Sequence, residues 1–422
     1  MVRLGACFFA ALAAGAGAQP MHTGEPDDPG PIVRNLRDQF REFTLISQVQ
    51  LLTPNVFIGA AARERVMIDV ERASIVHPVP PTTAWQESLE GTFTGQLFAE
   101  GRVVDAEPRR ADGYQGGTVL GVWEVFNLRA RDLRLEVRTE AIIFETEIDE
   151  PRAAQIPWPE DNSVFDAETL ALLQPQLFIE SDDARFASLV ERWTNGRSRE
   201  VTPYVLAKSL AARVIESYQP NGALIATDPK KVGGIDVISG SLVPSIYGFD
   251  VAGAIAAAEN GGGPPLDLAN LLCAVYRAAG LPTRLVVGVD LRESDNFDFF
   301  MPTAWVEFAL YNPEREVVEW IPVDIIAQRN DGNRAPPLDR PWRFFGNNER
   351  SEDLVALSFH WHPPTTVVNA GAPALWGWLP EPNIPPVTHL IGFTPSGRQR
   401  TVETLKEDQE IWVRRTGTRR TG

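Results

Sequence analysis

Cysteine is nearly absent from the sequence, and its scarcity excludes several kinds of site. The 422 residues contain two cysteines, Cys7 and Cys273. Cys7 lies in an N-terminal segment that we expect to be removed, which would leave Cys273 alone in the mature chain. A lone cysteine excludes an internal disulfide bond and any metal site that needs several thiolates.

Lysine is also scarce, and positive charge is not clustered. The chain has four lysines, and its 39 basic residues face 56 acidic ones, so the net charge is −17 and the isoelectric point is near 4.9. The first dense group of arginines comes only at residues 414–420. This balance argues against nucleic acid and against anionic membrane surfaces as partners.

The first residues, MVRLGACFFAALAAGAGAQP, have the pattern of a signal peptide. One arginine precedes an apolar run that ends in Ala16-Gly17-Ala18, which predicts cleavage after Ala18 and export to the periplasm or the extracellular space. Cys7 comes before most of the apolar run, which disfavours a lipid anchor there. No later stretch reaches the roughly 18 apolar residues of a membrane span, so we expect no membrane insertion after signal cleavage.

Hydrophobic periodicity divides the rest of the chain into two parts. In residues 45–158, apolar and polar residues alternate in runs such as GTFTGQLFAEGRVV, which predicts a β-sandwich domain. In residues 166–365, helical periodicity is followed by β-rich runs, so the predicted fold class is α+β. The remaining predicted ranges are a signal peptide at 1–18, a linker at 19–44 and, at 366–422, a Pro/Gly-rich C-terminal extension with a disordered tail.

Three blocks in the second part resemble the transglutaminase-like superfamily, whose fold is related to that of papain. They are GPPLDLA (residues 263–269) followed by RAAGLPTR (277–284), then TAWVE (303–307), then WIPVD (320–324). The resemblance implies a transglutaminase-like, cysteine-protease-like core in which helices pack on an antiparallel sheet.

The resemblance places the family's catalytic Cys-His-Asp triad at Pro265, Thr303 and Asp324. In the family the cysteine attacks an acyl group, the histidine accepts its proton and the aspartate orients the histidine. Proline carries no nucleophile, and a threonine hydroxyl is not a base near neutral pH. Pro265 and Asp267 both suit the first turn of a helix, so the helix start is kept where the reactive group is lost. The candidate residues of a remaining cleft are Asp267, Trp305, Glu307 and Trp320.

These substitutions predict a pseudoenzyme: a catalytically inactive, bacterial-type exported protein that binds or scaffolds a peptide, a glycan or an envelope protein. No cofactor is expected. The alternative is an active transglutaminase-like cysteine hydrolase or acyltransferase with a rearranged site. Its candidate nucleophile is Cys273, about two turns into the helix, although the apolar neighbours of this residue are typical of a buried, inert thiol.

Two other arrangements of polar residues suggest alternative chemistry. His360 and His362 lie two residues apart in SFHWHPP, so on a strand they would share one face, a spacing that can bind a metal ion. A third ligand, His389 or Asp324, would have to come from elsewhere. Asp267 and Asp324 could form a carboxylate pair of the kind that glycosidases use, although structural roles for both are favoured.

Overall fold

Long strands dominate the first half of the protein in its computed structural model. The structure describes residues 30–52, 55–58, 62–65, 67–104, 106–224, 245–246, 248–297, 301–348, 353–362, 373–381, 388–401 and 411–414. The predicted signal peptide lies outside these residues. The first strands are β1 (Val33–Leu52), β2 (Asn55–Ile58), β3 (Ala62–Arg65), β4 (Ile68–Pro78), β5 (Gln86–Ala99), β6 (Arg102–Val104), β7 (Arg109–Tyr114), β8 (Thr118–Ala130) and β9 (Asp132–Ile148).

Helices begin after residue 149 and alternate with shorter strands. The helices are α1 (Glu150–Ala153), α2 (Ala167–Ala171), α3 (Ala184–Thr194), α4 (Pro203–Ser217), α5 (Ala254–Asn260), α6 (Asp267–Ala278), α7 (Leu291–Phe297) and α8 (Ile325–Asp331). The strands are β10 (Gln219–Pro220), β11 (Ser245–Ile246), β12 (Gly262–Gly263), β13 (Thr283–Asp290), β14 (Pro302–Asn312), β15 (Val317–Val323), β16 (Leu354–Ser358), β17 (Gly377–Glu381), β18 (Thr388–Thr401) and β19 (Ile411–Arg414).

Two antiparallel sheets pack against each other in the N-terminal, strand-rich region. One has the strand order β11-β18-β1-β9-β5-β6, and the other has the order β17-β4-β8-β7. Between them, Ser47 Oγ of β1 lies 2.7 Å from His77 Nε2 of β4. The indole of Trp123 on β8 covers Gly95 on β5 so closely that a Cβ at Gly95 would lie 2.2 Å from the ring. Alternating residues of β1 and β4 are buried in this layer, as their period-two pattern predicts.

Strands from both ends of the chain complete these sheets. β18 pairs with β1 along its length, and β17 pairs with β4. β1 begins at Val33, inside the range 19–44 that was predicted as a linker, and β17 to β19 lie inside the predicted extension 366–422. The reason for the difference is that these strands are stabilised by partners far away in the sequence, whereas the prediction rested on local composition. The domain boundaries stay predictions.

The second region packs helices on an antiparallel sheet with the strand order β15-β14-β13-β16. Helix α6 is buried at every residue from Asp267 to Arg277 and contacts α3, α4 and α5 as well as β13 and β14. Gly280, at φ 82°, follows the last turn of α6 and allows the chain to reverse into β13. The α+β fold class is confirmed.

One continuous buried apolar cluster joins the sandwich to the helical core. Trp85, which precedes β5, and Trp305 on β14 belong to the same cluster as Leu272 on α6. The described residues from Pro31 onward accordingly form one compact unit. Throughout the described part of the chain, every helix is too short or too polar to cross a lipid bilayer.

Candidate functional site

Pro264 and Pro265 form the turn that leads into α6. The carbonyl of Pro264 accepts hydrogen bonds from the N–H of Asp267 at 3.0 Å and from the hydroxyl of Tyr218 at 2.7 Å. The carbonyl of Pro265 accepts the N–H of Leu268 at 3.3 Å. The first turn is therefore well formed without a donor at residue 265, which is the property that makes proline compatible with this position.

Asp267 holds the loop before α5 in place. Its carboxylate is fully buried and accepts the N–H groups of Ala252 and Gly253, both at 2.9 Å, and the side-chain amide of Asn270 at 2.9 Å. Burial raises the pKa of Asp267 to about 6, and the nearby charge of Asp250 adds to the rise, while the three N–H donors oppose it. The carboxylate of Asp267 is therefore engaged by groups of the protein itself.

Thr303 and Asp324 lie at the same end of two neighbouring strands. Val306 of β14 pairs with Val323 of β15, so Asp324 follows directly on the strand end that is close to Thr303. Thr303 is 8% exposed and lies opposite Gly288 of β13. The carboxylate of Asp324 accepts the N–H of Ala327 at 2.9 Å and so caps α8.

Trp305 and Glu307 face the segment that precedes β5. The indoles of Trp305 and Trp85 are stacked with centroids 4.6 Å apart. Glu307 is fully buried and accepts two hydrogen bonds from Arg284, at 2.8 and 2.6 Å, one from Trp305 at 3.2 Å and one from the N–H of Ala84 at 3.1 Å. At these two positions β14 is therefore covered by protein rather than open to solvent.

Trp320 is half-buried and lies beside a surface cavity. The guanidinium of Arg284 lies 4.1 Å from the centroid of its ring. Trp320 and Glu319 line a cavity of about 510 Å³ together with residues at the start of β1. The carboxylate of Glu319 is engaged in hydrogen bonds within the protein: it accepts the N–H of Ile32 at 2.6 Å and the amide of Asn312 at 2.7 Å.

Cys273 is a buried, free thiol in the middle of α6. Its Sγ lies 3.6 Å from the carbonyl oxygen of Thr283. Burial raises the pKa of the Cys273 thiol, and the opposing effect of Arg277 is smaller. A neutral thiol without solvent access is a poor nucleophile.

His360 and His362 lie close together, with ring centroids 6.0 Å apart. Nδ1 of His360 lies 3.0 Å from Ser358 Oγ and 3.1 Å from Thr118 Oγ1. Burial, with a smaller contribution from the nearby His362, lowers the pKa of His360 to about 3, so the ring is neutral at physiological pH. No group of three or more His, Cys, Asp or Glu side chains among the described residues is placed to hold a metal ion. The side chain of His389 lies outside those residues.

A larger cavity, which the sequence did not indicate, lies between the end of β7 and the segment from α2 to α3. Its volume is about 850 Å³. Its acidic lining residues are Asp112, Glu168, Glu180 and Asp182, and its other lining residues include Tyr114 and Arg277. The sequence signals available for it were the glycine-rich DGYQGG at 112–117 and the acidic ESDD at 180–183, which lie far apart in the chain.

Comparison with known proteins agrees with the sequence motifs. Residues 244–325, which contain Pro265, Thr303 and Asp324, match the model of the transglutaminase-like superfamily. The search of curated proteins gave no match.

The solved structures that match this chain share little sequence with it. A Cytophaga hutchinsonii protein provisionally named a cysteine protease is 13% identical over 86% of this chain and 99% of its own, with a TM-score of 0.45. The periplasmic domain of TgpA from Pseudomonas aeruginosa, solved with ethylmercury bound, is 16% identical over 61% of this chain and 90% of its own, with a TM-score of 0.24. On the family match and the three motif blocks, the segment from residue 244 to residue 325 belongs to the transglutaminase-like superfamily.

Proposed function

We propose that the protein is a catalytically inactive transglutaminase-like protein that acts as an exported binding or scaffolding protein. The observation that carries this proposal is the chemistry at the three triad positions. Pro265 supplies a helix start and no nucleophile, and Thr303 supplies no base. Asp324 keeps its carboxylate, but that carboxylate caps α8.

The location of Cys273 supports the proposal against a relocated nucleophile. The thiol is fully buried within α6, among residues that are themselves buried. Catalytic cysteines are accessible and have a lowered pKa, because the thiolate is the attacking species. Burial shifts the pKa of Cys273 in the opposite direction.

Export and the nature of the partner rest on the sequence. The N-terminal residues have the signal-peptide pattern, and the acidic composition disfavours nucleic acid. A peptide, a glycan or an envelope protein is the class of partner that suits an exported scaffold.

Activity assays test the proposal directly. In the background Cys7→Ser, which leaves Cys273 as the sole cysteine, we expect neither incorporation of a fluorescent amine into casein nor thiol-dependent hydrolysis of peptides. An active transglutaminase and an active papain-like protease serve as positive controls. Activity that is present in this protein and is abolished by Cys273→Ala would contradict the proposal.

Iodoacetamide labelling provides a matched comparison of the two positions on the same helix. In the folded background protein Cys273 should resist labelling and should react only in urea. In Pro265→Cys/Cys273→Ala the new thiol lies at a half-buried helix start and should react in the folded state. Rapid labelling of Cys273 in the folded protein would favour a rearranged active site instead.

A further inference from the structure

The 850 Å³ cavity lies at the opposite end of α6 from the triad positions. Arg277, in its wall, follows Asp267 by ten residues, which is roughly 15 Å along the helix axis. One wall is the end of β7 and the glycine-rich turn after it, and the other is the chain between α2 and α3. A volume of this size falls within the range of small-molecule and side-chain binding sites.

Three of the carboxylates around this cavity have no side-chain partner in the part of the chain that the structure describes. Within the described residues, no ion pair or hydrogen bond involves the side chains of Glu168, Glu180 or Asp182. Oε2 of Glu180 is shielded from solvent and accepts no hydrogen bond. The fourth acidic residue, Asp112, is exposed and pairs with the neighbouring Arg110 at 3.3 Å.

Nearby carboxylates differ from these because they have clear structural roles. Asp166 caps α2 by accepting the N–H of Thr169 at 2.7 Å, and Asp183 caps α3 by accepting the N–H of Arg185 at 3.0 Å. Of the lining carboxylates, Glu168 lies in the first turn of α2, where negative charge favours the helix dipole, whereas Glu180 and Asp182 cap no helix. Clustered like charges repel one another and produce a negative potential that attracts a cation.

Arg277 is the basic residue in the cavity wall, but its guanidinium is engaged with the protein and is not available to bind an anion. Its guanidinium donates to the carbonyls of Thr283 and Gln174, both at 2.8 Å, and to the side chain of Gln176 at 3.1 Å. It is 4% exposed, so most of its surface is covered by these contacts. Arg277 therefore fixes the wall of the cavity. The four lining carboxylates exceed its single positive charge, so the lining is negative overall.

The rest of the lining suits the hydrocarbon part of an organic cation. Leu172, Pro175 and Leu177 contribute apolar surface, and Leu177 is 39% exposed. Tyr114 presents an aromatic ring, a group that attracts cations over its face. That ring is fixed from behind, because it packs edge-on against His360 at 4.5 Å and parallel to His362 at 6.1 Å.

We propose that this cavity binds an aliphatic ammonium or guanidinium group, as presented by a lysine or arginine side chain of a peptide or by a free polyamine. Carboxylates of Glu168, Glu180 and Asp182 would hold the charge, and Tyr114 and Leu177 would contact the carbon chain. The biological meaning of this inference rests on the proposed binding function. Ligand binding itself does not, because the cavity is separate from the triad positions and its occupancy does not depend on catalysis.

Calorimetric titration of the full chain tests the ligand class with three probes. These are the peptide acetyl-Leu-Arg-Leu-amide, the same peptide with citrulline in place of arginine, and spermidine. Citrulline keeps the shape of arginine and removes its charge, so we expect it to bind at least about tenfold more weakly. Affinity for the charged probes should fall as salt is added. Binding by the peptide alone identifies a peptide ligand, and binding by spermidine alone identifies a free amine.

Three variants test whether binding depends on this cavity or on the general acidity of the protein. Glu180→Gln/Asp182→Asn removes two lining charges and should weaken binding about tenfold. The control Glu191→Gln/Asp339→Asn removes two exposed charges that do not line the cavity and should leave affinity unchanged. Ala171→Trp places a large ring in the cavity from the exposed side of α2 and should abolish binding. Circular dichroism and thermal unfolding would confirm that each variant is folded.

Several results would overturn the inference. They are equal binding of the arginine and citrulline peptides, absence of binding by every cationic probe, or equal losses in the lining and control variants. None of these results would affect the amine-incorporation and labelling assays, so failure of the cavity proposal is distinguishable from failure of the proposed function.

Discussion

At the scale of single residues, Pro265 and Asp267 hold the N-terminus of α6 through hydrogen bonds to its backbone and to the neighbouring loop. Pro265 allows the first turn of α6 to form, and Tyr218 donates to the carbonyl just before it. Asp267 uses both carboxylate oxygens to hold the N–H groups of Ala252 and Gly253. The N-terminus of α6 is therefore enclosed by contacts that stabilise the loop before α5.

Asp267 should make the stability of the protein depend on pH in an unusual direction. Its pKa in the folded state is about 6, above the value of 3.8 for an unperturbed aspartate. Between about pH 4 and 6 the folded state therefore binds more protons at this site than the unfolded state, and stability falls as pH rises. Relative to Asp267→Asn, the wild type should lose up to about 3 kcal/mol of unfolding free energy across this window. Urea unfolding at a series of pH values measures the difference.

The matched control for this titration is Asp166→Asn. The N–H of Thr169 lowers the pKa of Asp166, so its contribution should be present above about pH 4 and lost as pH falls further. If the difference between wild type and Asp267→Asn instead stays constant or grows from pH 4 to 6, the three N–H donors keep Asp267 ionised and the structural assignment of its protonation is wrong.

At the scale of elements, Glu307 ties three segments together. From β14 it binds Arg284 on β13 and the N–H of Ala84 before β5, and it also accepts the indole N–H of Trp305. Arg284 in turn stacks on Trp320 of β15. The tryptophan and the glutamate of the TAWVE motif therefore join the helical core to the segment that leads into β5 of the sandwich.

Removing this carboxylate should be costly. Glu307→Ala leaves Arg284 and the N–H of Ala84 without their acceptor in a buried site, so we expect a loss of about 3–5 kcal/mol in the free energy of unfolding. The control is Glu124→Ala, which breaks an exposed pair with Arg72 at 2.8 Å and should cost far less than Glu307→Ala, because solvent screens the pair. Urea unfolding measures both losses of free energy from the shift of the midpoint, provided that the dependence of the unfolding free energy on urea concentration is unchanged. Similar losses of stability in the two variants would show that the Glu307 contacts do not stabilise the connection between the helical core and the sandwich.

The elements differ in how far the sequence predicted them. Thr202-Pro203 at the start of α4 and Gly280 at the end of α6 are residue types typical of helix ends, so local backbone chemistry makes these two boundaries predictable from the sequence. At the start of α3, by contrast, Ser181 and Asp183 are both suitable caps by residue type, and the structure identifies Asp183 as the residue that caps the helix. The acidic cavity was not predictable, since its walls come from two segments about fifty residues apart in sequence, brought together only by packing.

At the scale of the whole molecule, the two ends of the chain meet in one sheet. β1, near the start, lies between β9 and β18, and β18 belongs to the C-terminal part of the chain. The sequence predicted a sandwich and a following core as successive ranges. It did not predict that the chain returns to the sandwich, because a strand's composition does not identify its partner when that partner is more than 300 residues away.

Ending the chain after residue 372 should therefore disrupt the sandwich although every residue of the range 45–158 remains. β1 would lose its partner from Gln39–Thr401 to Leu52–Thr388, and β4 would lose β17. Long unpaired strand edges promote association, so we expect a lower melting temperature and oligomers in light scattering. A chain that ends after Thr401 keeps β17 and β18 and should melt like the full chain and stay at the same oligomeric state. If the shorter chain behaved like this control, the C-terminal strands would be accessory, and the N-terminal sheets would fold without them.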